Sequence, residues 1–270
     1  MKLQVAGKSH VGMKRKLNED NYLIRPELGL YLIADGMGGH KAGEVASRMV
    51  VDTIEKYWQE LAGKTNRSLL ESIESNVSDK AKHLMNSISL ANTVVHEAQK
   101  KPQYHRMGST ISALLVEKKT IWSANVGDSP VFLFKQGRLI IVSEEHSIVA
   151  EQKSMGMSDS LSSTSPLIKN MLTRVLGLDE KVDIYITPIG PEEGDMILMC
   201  SDGLTNCLSE KAIRSILSNA LTSLEDKVEV LVGEANRGGG GDNITVILLK
   251  VMEEGRWDKL KKRFMSKGSG

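Results

Sequence analysis

Apolar residues recur at helical spacing through Ala46, Met49, Val50, Ile54 and Tyr57, the mark of one buried helical face. A longer stripe through Leu70, Ile73, Val77, Ala81, Leu84, Ile88, Ala91, Val95 and Ala98 predicts one long helix or two antiparallel ones packed on a core. Ser209 and Ser223 stand where N-caps belong, ahead of Ile213, Ile216 and Leu217 and of Val228, Leu231 and Val232. A serine hydroxyl there accepts a hydrogen bond from a first-turn amide that has no partner inside the helix. Elsewhere the pattern shortens to runs of strand length: Leu30–Ala34, Ile111–Val116, Val131–Phe134, Leu139–Val142, Met196–Cys200 and Ile244–Leu249. Gln136-Gly137 predicts a hairpin turn between two of them. The Ser- and Met-rich stretch 151–168 predicts a loop, with a short helix around Val149–Met155. Together these elements predict an α+β fold in which helices flank stacked antiparallel sheets.

Composition narrows the class. The chain has 270 residues, enough for a large core in one sheet-rich domain. A formal net charge of +1 gives no electrostatic footprint for nucleic acid. The first residues lack the apolar stretch of a signal peptide, and no segment has the length and apolarity to span a bilayer. With two cysteines and no export signal, a reducing cytoplasm is the expected compartment.

The candidate chemistry lies where Asp meets Gly at strand ends. Asp35 follows Leu30–Ala34, Asp202 follows Met196–Cys200, and Asp242 precedes Ile244–Leu249, each with glycine beside it. Hard divalent cations take carboxylate and carbonyl oxygens with room for water. Glycine after the Asp, as at Gly36 and Gly203, is expected to let the backbone turn and bring its own carbonyl to an ion. One such pair alone reads as an ordinary turn; three suggest one site if their strands are neighbours. Asp128, in Val126-Gly-Asp-Ser129, is expected as a weaker or third ligand rather than a core one.

These segments, taken in order, resemble the metal-dependent protein serine/threonine phosphatases of the PP2C (PPM) family in their compact bacterial form. The resemblance is carried by Arg15-Lys-Leu-Asn-Glu-Asp-Asn21, Ala34-Asp-Gly-Met-Gly-Gly-His40 and Gly108-Ser-Thr110. Val126-Gly-Asp-Ser129, Glu145-His-Ser147, Leu172-Thr-Arg-Val-Leu-Gly177, Ser201-Asp-Gly203 and Gly241-Asp-Asn243 continue it. It implies a four-layer αββα fold: a β-sandwich of two antiparallel sheets between pairs of helices, with a phosphatase domain at 1–252 and a basic tail at 253–270. It implies two Mn²⁺ or Mg²⁺ ions, bridged by Asp35, with the Gly36 carbonyl on one and Asp202 and Asp242 on the other. The ions number two or three, Glu19 and Asp20 would act mainly through metal-bound waters, and Arg15 would grip the substrate phosphate. A guanidinium suits that task because it is permanently charged and meets two oxygens at once. The implied partners are phosphorylated proteins and an opposing bacterial Ser/Thr kinase, and the implied state is a monomer.

Two positions depart from the family pattern. Met37 stands where animal members carry a histidine proposed to protonate the leaving group, and bacterial relatives share Asp-Gly-Met-Gly-Gly-His. Pro130 stands where Arg usually follows Gly-Asp-Ser. His40 is expected at the substrate edge or in a structural role, and His146 in a structural role. Arg174 is expected to contact a phosphopeptide or to anchor its own segment. Gly238–Gly241, without a following Lys-Ser/Thr, is not a P-loop and reads as a flexible approach to Asp242. Cys200 and Cys207 lack the Cys-x₅-Arg arrangement of thiol phosphatases and read as inert. In the tail, Trp257, Leu260 and Phe264 at helical spacing suggest a terminal helix packed on the domain or a basic amphipathic one. Two other functions stay open: a phosphoprotein-binding module without turnover, and a hydrolase of small phosphate esters.

Overall fold

The computed structural model describes residues 1–38, 42–63, 77–156 and 171–252. One sheet runs β1 (Lys2–His10), β11 (Ile244–Met252), β10 (Met196–Cys200), β7 (Val131–Lys135), β8 (Arg138–Ile141). The other runs β2 (Asp20–Arg25), β3 (Leu30–Met37), β5 (Ile111–Glu117), β6 (Thr120–Val126), β9 (Tyr185–Ile189), and the short β4 (Gly108–Ser109) pairs with the end of β3. Every pairing is antiparallel. The expected hairpin is β7–β8, and its turn residues Gln136 and Gly137 have φ of 51° and 76°, the left-handed pair that matches the twist of the flanking strands.

Side chains alternate across each strand, so each sheet feeds two cores. In β3, Leu30, Leu32 and Ala34 face α1 (Ala42–Gly63) and α2 (Asp79–Ala98), while Tyr31 and Ile33 face the opposing sheet. In β11, Ile244, Val246 and Leu248 face α5 (Glu210–Ser218) and α6 (Leu224–Arg237), while Ile247 and Leu249 point inward. The result is the four-layer order helices, sheet, sheet, helices. Burying each such Leu or Ile is worth about 1.5–3 kcal/mol, which makes the inter-sheet layer a rigid platform for what stands at its end.

The helices form where the periodicity placed them. Ala46, Val50, Ile54 and Trp58 make the buried face of α1. Ala81, Leu84, Ile88, Ala91 and Val95 make that of α2, whose N-cap is Ser78; Leu70 and Ile73 lie outside the described residues. Ser209 and Ser223 accept from Ala212 N at 3.3 Å and Asp226 N at 3.0 Å, as expected of N-caps. A short α3 (Ile148–Ser154) occupies the position expected of a helix near Val149–Met155 and is capped by Ser147. The one-turn α4 (Asp202–Thr205) follows β10 directly. No helix among the described residues is long and apolar enough to cross a membrane. The remainder of the 151–168 loop, His40 and the tail helix around Trp257 lie outside the described residues.

The condition that the three Asp-bearing strands be neighbours is met only in part. β10 and β11 pair with each other, but β3 belongs to the other sheet. The carboxylates therefore meet across the end of the sandwich rather than along one sheet edge.

Candidate metal centre

Strand parity brings the acidic groups together. Asp35 continues the inner row Tyr31, Ile33 of β3, and Asp20 of β2 is its direct cross-strand partner. Two carboxylates facing each other across a strand pair repel, so the register holds a conflict that a cation would resolve. From the other sheet, Ser201 ends β10 and donates to Asp20 Oδ2 at 2.8 Å, while Thr245 on β11 donates to the same oxygen at 2.6 Å. Asp20 Oδ1 is buried and has no partner. An oxygen in that state costs free energy unless something fills the space before it.

The other acids close around this pair. Asp202 heads α4, is hydrogen-bonded to Asp35, and accepts from Asn206 Nδ2 at 3.0 Å. Asp128 follows Gly127 just past β6. Asp242 precedes β11 and accepts from Arg15 Nη2 at 2.6 Å. Burial and mutual repulsion push the protons on. Asp35 is held well above the usual carboxylate range by burial and by the charges of Asp20, Asp202, Asp128 and Asp242. Burial pushes Asp20 up to about 6 against the pull of Thr245 and Ser201, and burial with the charge of Asp202 pushes Asp128 up to about 7. Asp202 and Glu19 are likewise raised, by burial first. A bound cation would reverse all these directions.

The backbone around Asp35 and Asp202 explains their glycines differently from expectation. Gly36 stays within β3, and a Cβ there would stand 2.0 Å from the Gly43 carbonyl oxygen; at Gly203, inside α4, it would stand 2.0 Å from that of Asn243. Both glycines permit close approach of two backbones, not a turn away from the strand. Thr110 Oγ1 accepts from Asp35 N at 3.1 Å, and Thr110 N donates to Asp35 O at 2.8 Å.

Sequence reasoning overlooked the residue that holds the Arg15–Glu19 loop. Asn243 Nδ2 donates to the carbonyls of Val11 and Leu17, both at 2.9 Å, and its Oδ1 accepts from Glu19 N at 2.8 Å. The Gly238–Gly241 run serves the same loop: the Gly240 carbonyl accepts from Met13 N at 2.8 Å and Lys14 N at 3.2 Å. The available signal is Asn243 beside Asp242 in Gly241-Asp-Asn243. Glu19 reaches the start of α1, accepting from Gly43 N. His146 holds the Asp128 turn, accepting from Gly127 N at 3.1 Å through Nδ1, and Arg174 contacts His146 Nε2 at 3.1 Å and Glu144 at 3.5 Å. His146 is thus structural, and Arg174 anchors its own segment. Cys200 is buried, and burial pushes its thiol far up, so it is no nucleophile.

Among the described residues, no three His, Cys, Asp or Glu side chains are already posed around one ion. Arg15 holds Asp242, and Asp202 is hydrogen-bonded to Asp35. Ions that keep several waters need few protein ligands each, and Asp20 Oδ1 and the crowded acids suit such ions. Clustered carboxylates beside an arginine are the side-chain types that a metal-dependent phosphohydrolase would use.

The profile of the protein phosphatase 2C family matches residues 6–233, and the chain belongs to that family. It is similar to the "Serine/threonine phosphatase stp" of Listeria welshimeri, 34% identical over 250 residues covering 91% of this chain and 95% of the relative. The "Protein phosphatase PhpP" of Streptococcus pneumoniae is 30% identical over 255 residues, covering 93% of this chain and 99% of the relative. The solved serine/threonine phosphatase of S. agalactiae superposes with a TM-score of 0.80 at 32% identity, covering 93% and 100% of the two chains. The catalytic domain of the serine/threonine protein phosphatase PstP in complex with two manganese ions gives 0.75 at 26% identity, covering 93% and 99%. The chain is accordingly an enzyme, a protein serine/threonine phosphatase of a metal-dependent family.

Proposed function

We propose that this phosphatase hydrolyses phosphoserine and phosphothreonine in proteins using two Mn²⁺ or Mg²⁺ ions held by Asp35, the Gly36 carbonyl, Asp202 and Asp242, with Asp128 serving a third. The observation that carries the reading is the convergence of buried carboxylates from both sheets, with Asp20 Oδ1 unpartnered among them. When bound, such ions supply a water of lowered pKa and compensate charge on the phosphoryl oxygens.

The chain's own residues do the rest. Asp20, its Oδ2 fixed by Ser201 and Thr245, offers Oδ1 to orient a water, and Glu19 sits beside it on the Asn243-anchored loop. Arg15 exchanges Asp242 for the substrate phosphate, a like-for-like replacement of one anion by another. It stands half exposed at the mouth of the site, where an incoming phosphate can reach it. Water as nucleophile requires no phosphoenzyme, consistent with the inert Cys200.

The catalytic unit is read as 1–252, closed by β11, and as a monomer opposing a Ser/Thr kinase. The free state of both cysteines supports placement in the cytoplasm. The test is phosphate release from a phosphothreonine peptide with Mn²⁺, with Mg²⁺ and with chelator, beside Asp202→Asn. Metal-dependent release that the variant loses is expected. Release unaffected by chelator, or retained in Asp202→Asn, overturns the assignment.

A further inference from the structure

A cavity of about 290 Å³ opens beside the carboxylate cluster. By burial, the half-buried Asp128 and Asp202 are its inner wall and the exposed Glu144 and Glu145 its outer rim, while Pro130, Phe132 and Ile141 add apolar side chains to the lining. The volume is at the low end for small-molecule sites, roughly 300–1,000 Å³, and fits one long side chain better than a whole ligand. Two features make it more than a crevice. Phe132 and Ile141 give it some apolar surface, and Ile141 is left 55% exposed. Among the described residues its charged lining is anionic: Asp128, Asp202, Glu144 and Glu145, with no lysine, arginine or histidine beside them in the lining.

Arg174 offsets the rim charge in part, while burial lowers the pKa of the His146 imidazole and so favours its neutral form. Arg174 lies 3.5 Å and His146 3.4 Å from Glu144 Oε1, and Ser147 donates to Glu145 Oε1. Each glutamate therefore keeps one carboxylate oxygen outside these contacts. Ions on the inner wall would neutralise Asp202 and Asp128, so the argument rests on Glu144 and Glu145, both exposed on the solvent side. Pro130 contributes to this charge balance, since a proline there brings no cation to the cavity.

We propose that this cavity is a substrate subsite for a cationic side chain, Arg or Lys, flanking the phosphorylated residue. The inference rests on the phosphatase reading above and adds to it the class of phosphoprotein preferred. A long basic side chain lays its methylene stem on Phe132 and Ile141 and carries its charge to Glu144 and Glu145. The inner wall is shared with the reaction centre, and an extended chain advances about 3.3–3.6 Å per residue. The cation therefore belongs to a residue within a few positions of the phosphoresidue.

The experiment compares phosphothreonine peptides carrying a single Arg at each position from three before to three after the phosphoresidue, against the all-Ala parent. p-Nitrophenyl phosphate serves as a substrate with no flanking residue and no cation to place in the cavity. Wild type, Glu144→Gln/Glu145→Gln and Ile141→Lys are assayed with Mn²⁺. Two partly exposed ion pairs predict a KM lower by roughly fivefold at one favoured position. Both variants should lose that preference while their p-nitrophenyl phosphate turnover stays within about twofold of wild type. Ile141→Lys puts a cation at an exposed position, so it does not depend on the fold tolerating loss of the glutamates. Equal KM at every position, or a preference that survives both variants, overturns the subsite. Failure of wild type to turn over p-nitrophenyl phosphate would instead overturn the phosphatase reading, and the subsite with it.

Discussion

Removing one carboxylate from the cluster should stabilise the metal-free protein, and only above acidic pH. Asp128 is pushed up to about 7 from an ordinary value near 3.9, so about three pK units are at stake, or about 4 kcal/mol as a ceiling. The unfolded chain loses this proton near pH 4 and the folded protein near pH 7. Stability carried by the protonated group is therefore complete below pH 4 and is lost as pH rises to 7. Asn cannot ionise, so Asp128→Asn escapes the loss. Between pH 5 and pH 8 the stability of the variant relative to wild type should rise by about 3 kcal/mol at the ceiling, and by roughly half that once water reaches the part-exposed group. Urea midpoints of both proteins in chelator at the two pH values measure this difference. Other titrating groups, such as His146, are common to both proteins and largely cancel. Saturating Mn²⁺ should reverse the ranking, because wild type gains more from ligand linkage. A difference that stays constant, or shrinks, between pH 5 and pH 8 would refute the account of mutual repulsion.

Gly203→Ala places a Cβ 2.0 Å from the Asn243 carbonyl oxygen. It should cost about 1–3 kcal/mol by overpacking and shift the chemical denaturation midpoint accordingly. Asn243→Ala removes three hydrogen bonds to the Arg15–Glu19 loop, worth roughly 2–4 kcal/mol together; amide exchange in residues 11–19 should accelerate. Arg15→Ala loses a half-exposed pair with Asp242. Its melting temperature should barely move, since such pairs are worth about 0–1 kcal/mol, while kcat/KM for a phosphopeptide should fall at least about tenfold. Iodoacetamide should leave activity intact under native conditions, because the Cys200 thiol is buried and held protonated; rapid inactivation traced to Cys200 would contradict that.

How far the sequence carried this reading depends on whether the signal was local. The β7–β8 turn, the caps Ser209 and Ser223, and the face of α1 are set by neighbours within a few residues, and periodicity found them. β1 and β2 were overlooked because their apolar positions are mostly half-buried, so their alternation is faint. The acids were legible as types beside glycine. Their arrangement was not, because it depends on β3 lying in the other sheet from β10 and β11, a fact of long-range pairing. Ser201, Thr245 and Asn243 escaped for a related reason. Hydroxyls and amides at strand ends are common, and only the assembled end of the sandwich shows them converging on Asp20 and the Arg15 loop.

That Asp20 and Asp35 belong to one sheet while Ser201, Asp202 and Asp242 follow from the other gives the centre a second, mechanical character. The two halves of the molecule meet at this end through the Ser201 and Thr245 hydrogen bonds to Asp20, with like charges crowded beside them. A cation seated there would act as a clasp, and a chelator would undo the clasp and the chemistry in one stroke. Protease nicking of residues 11–19 should therefore track metal occupancy as closely as turnover does.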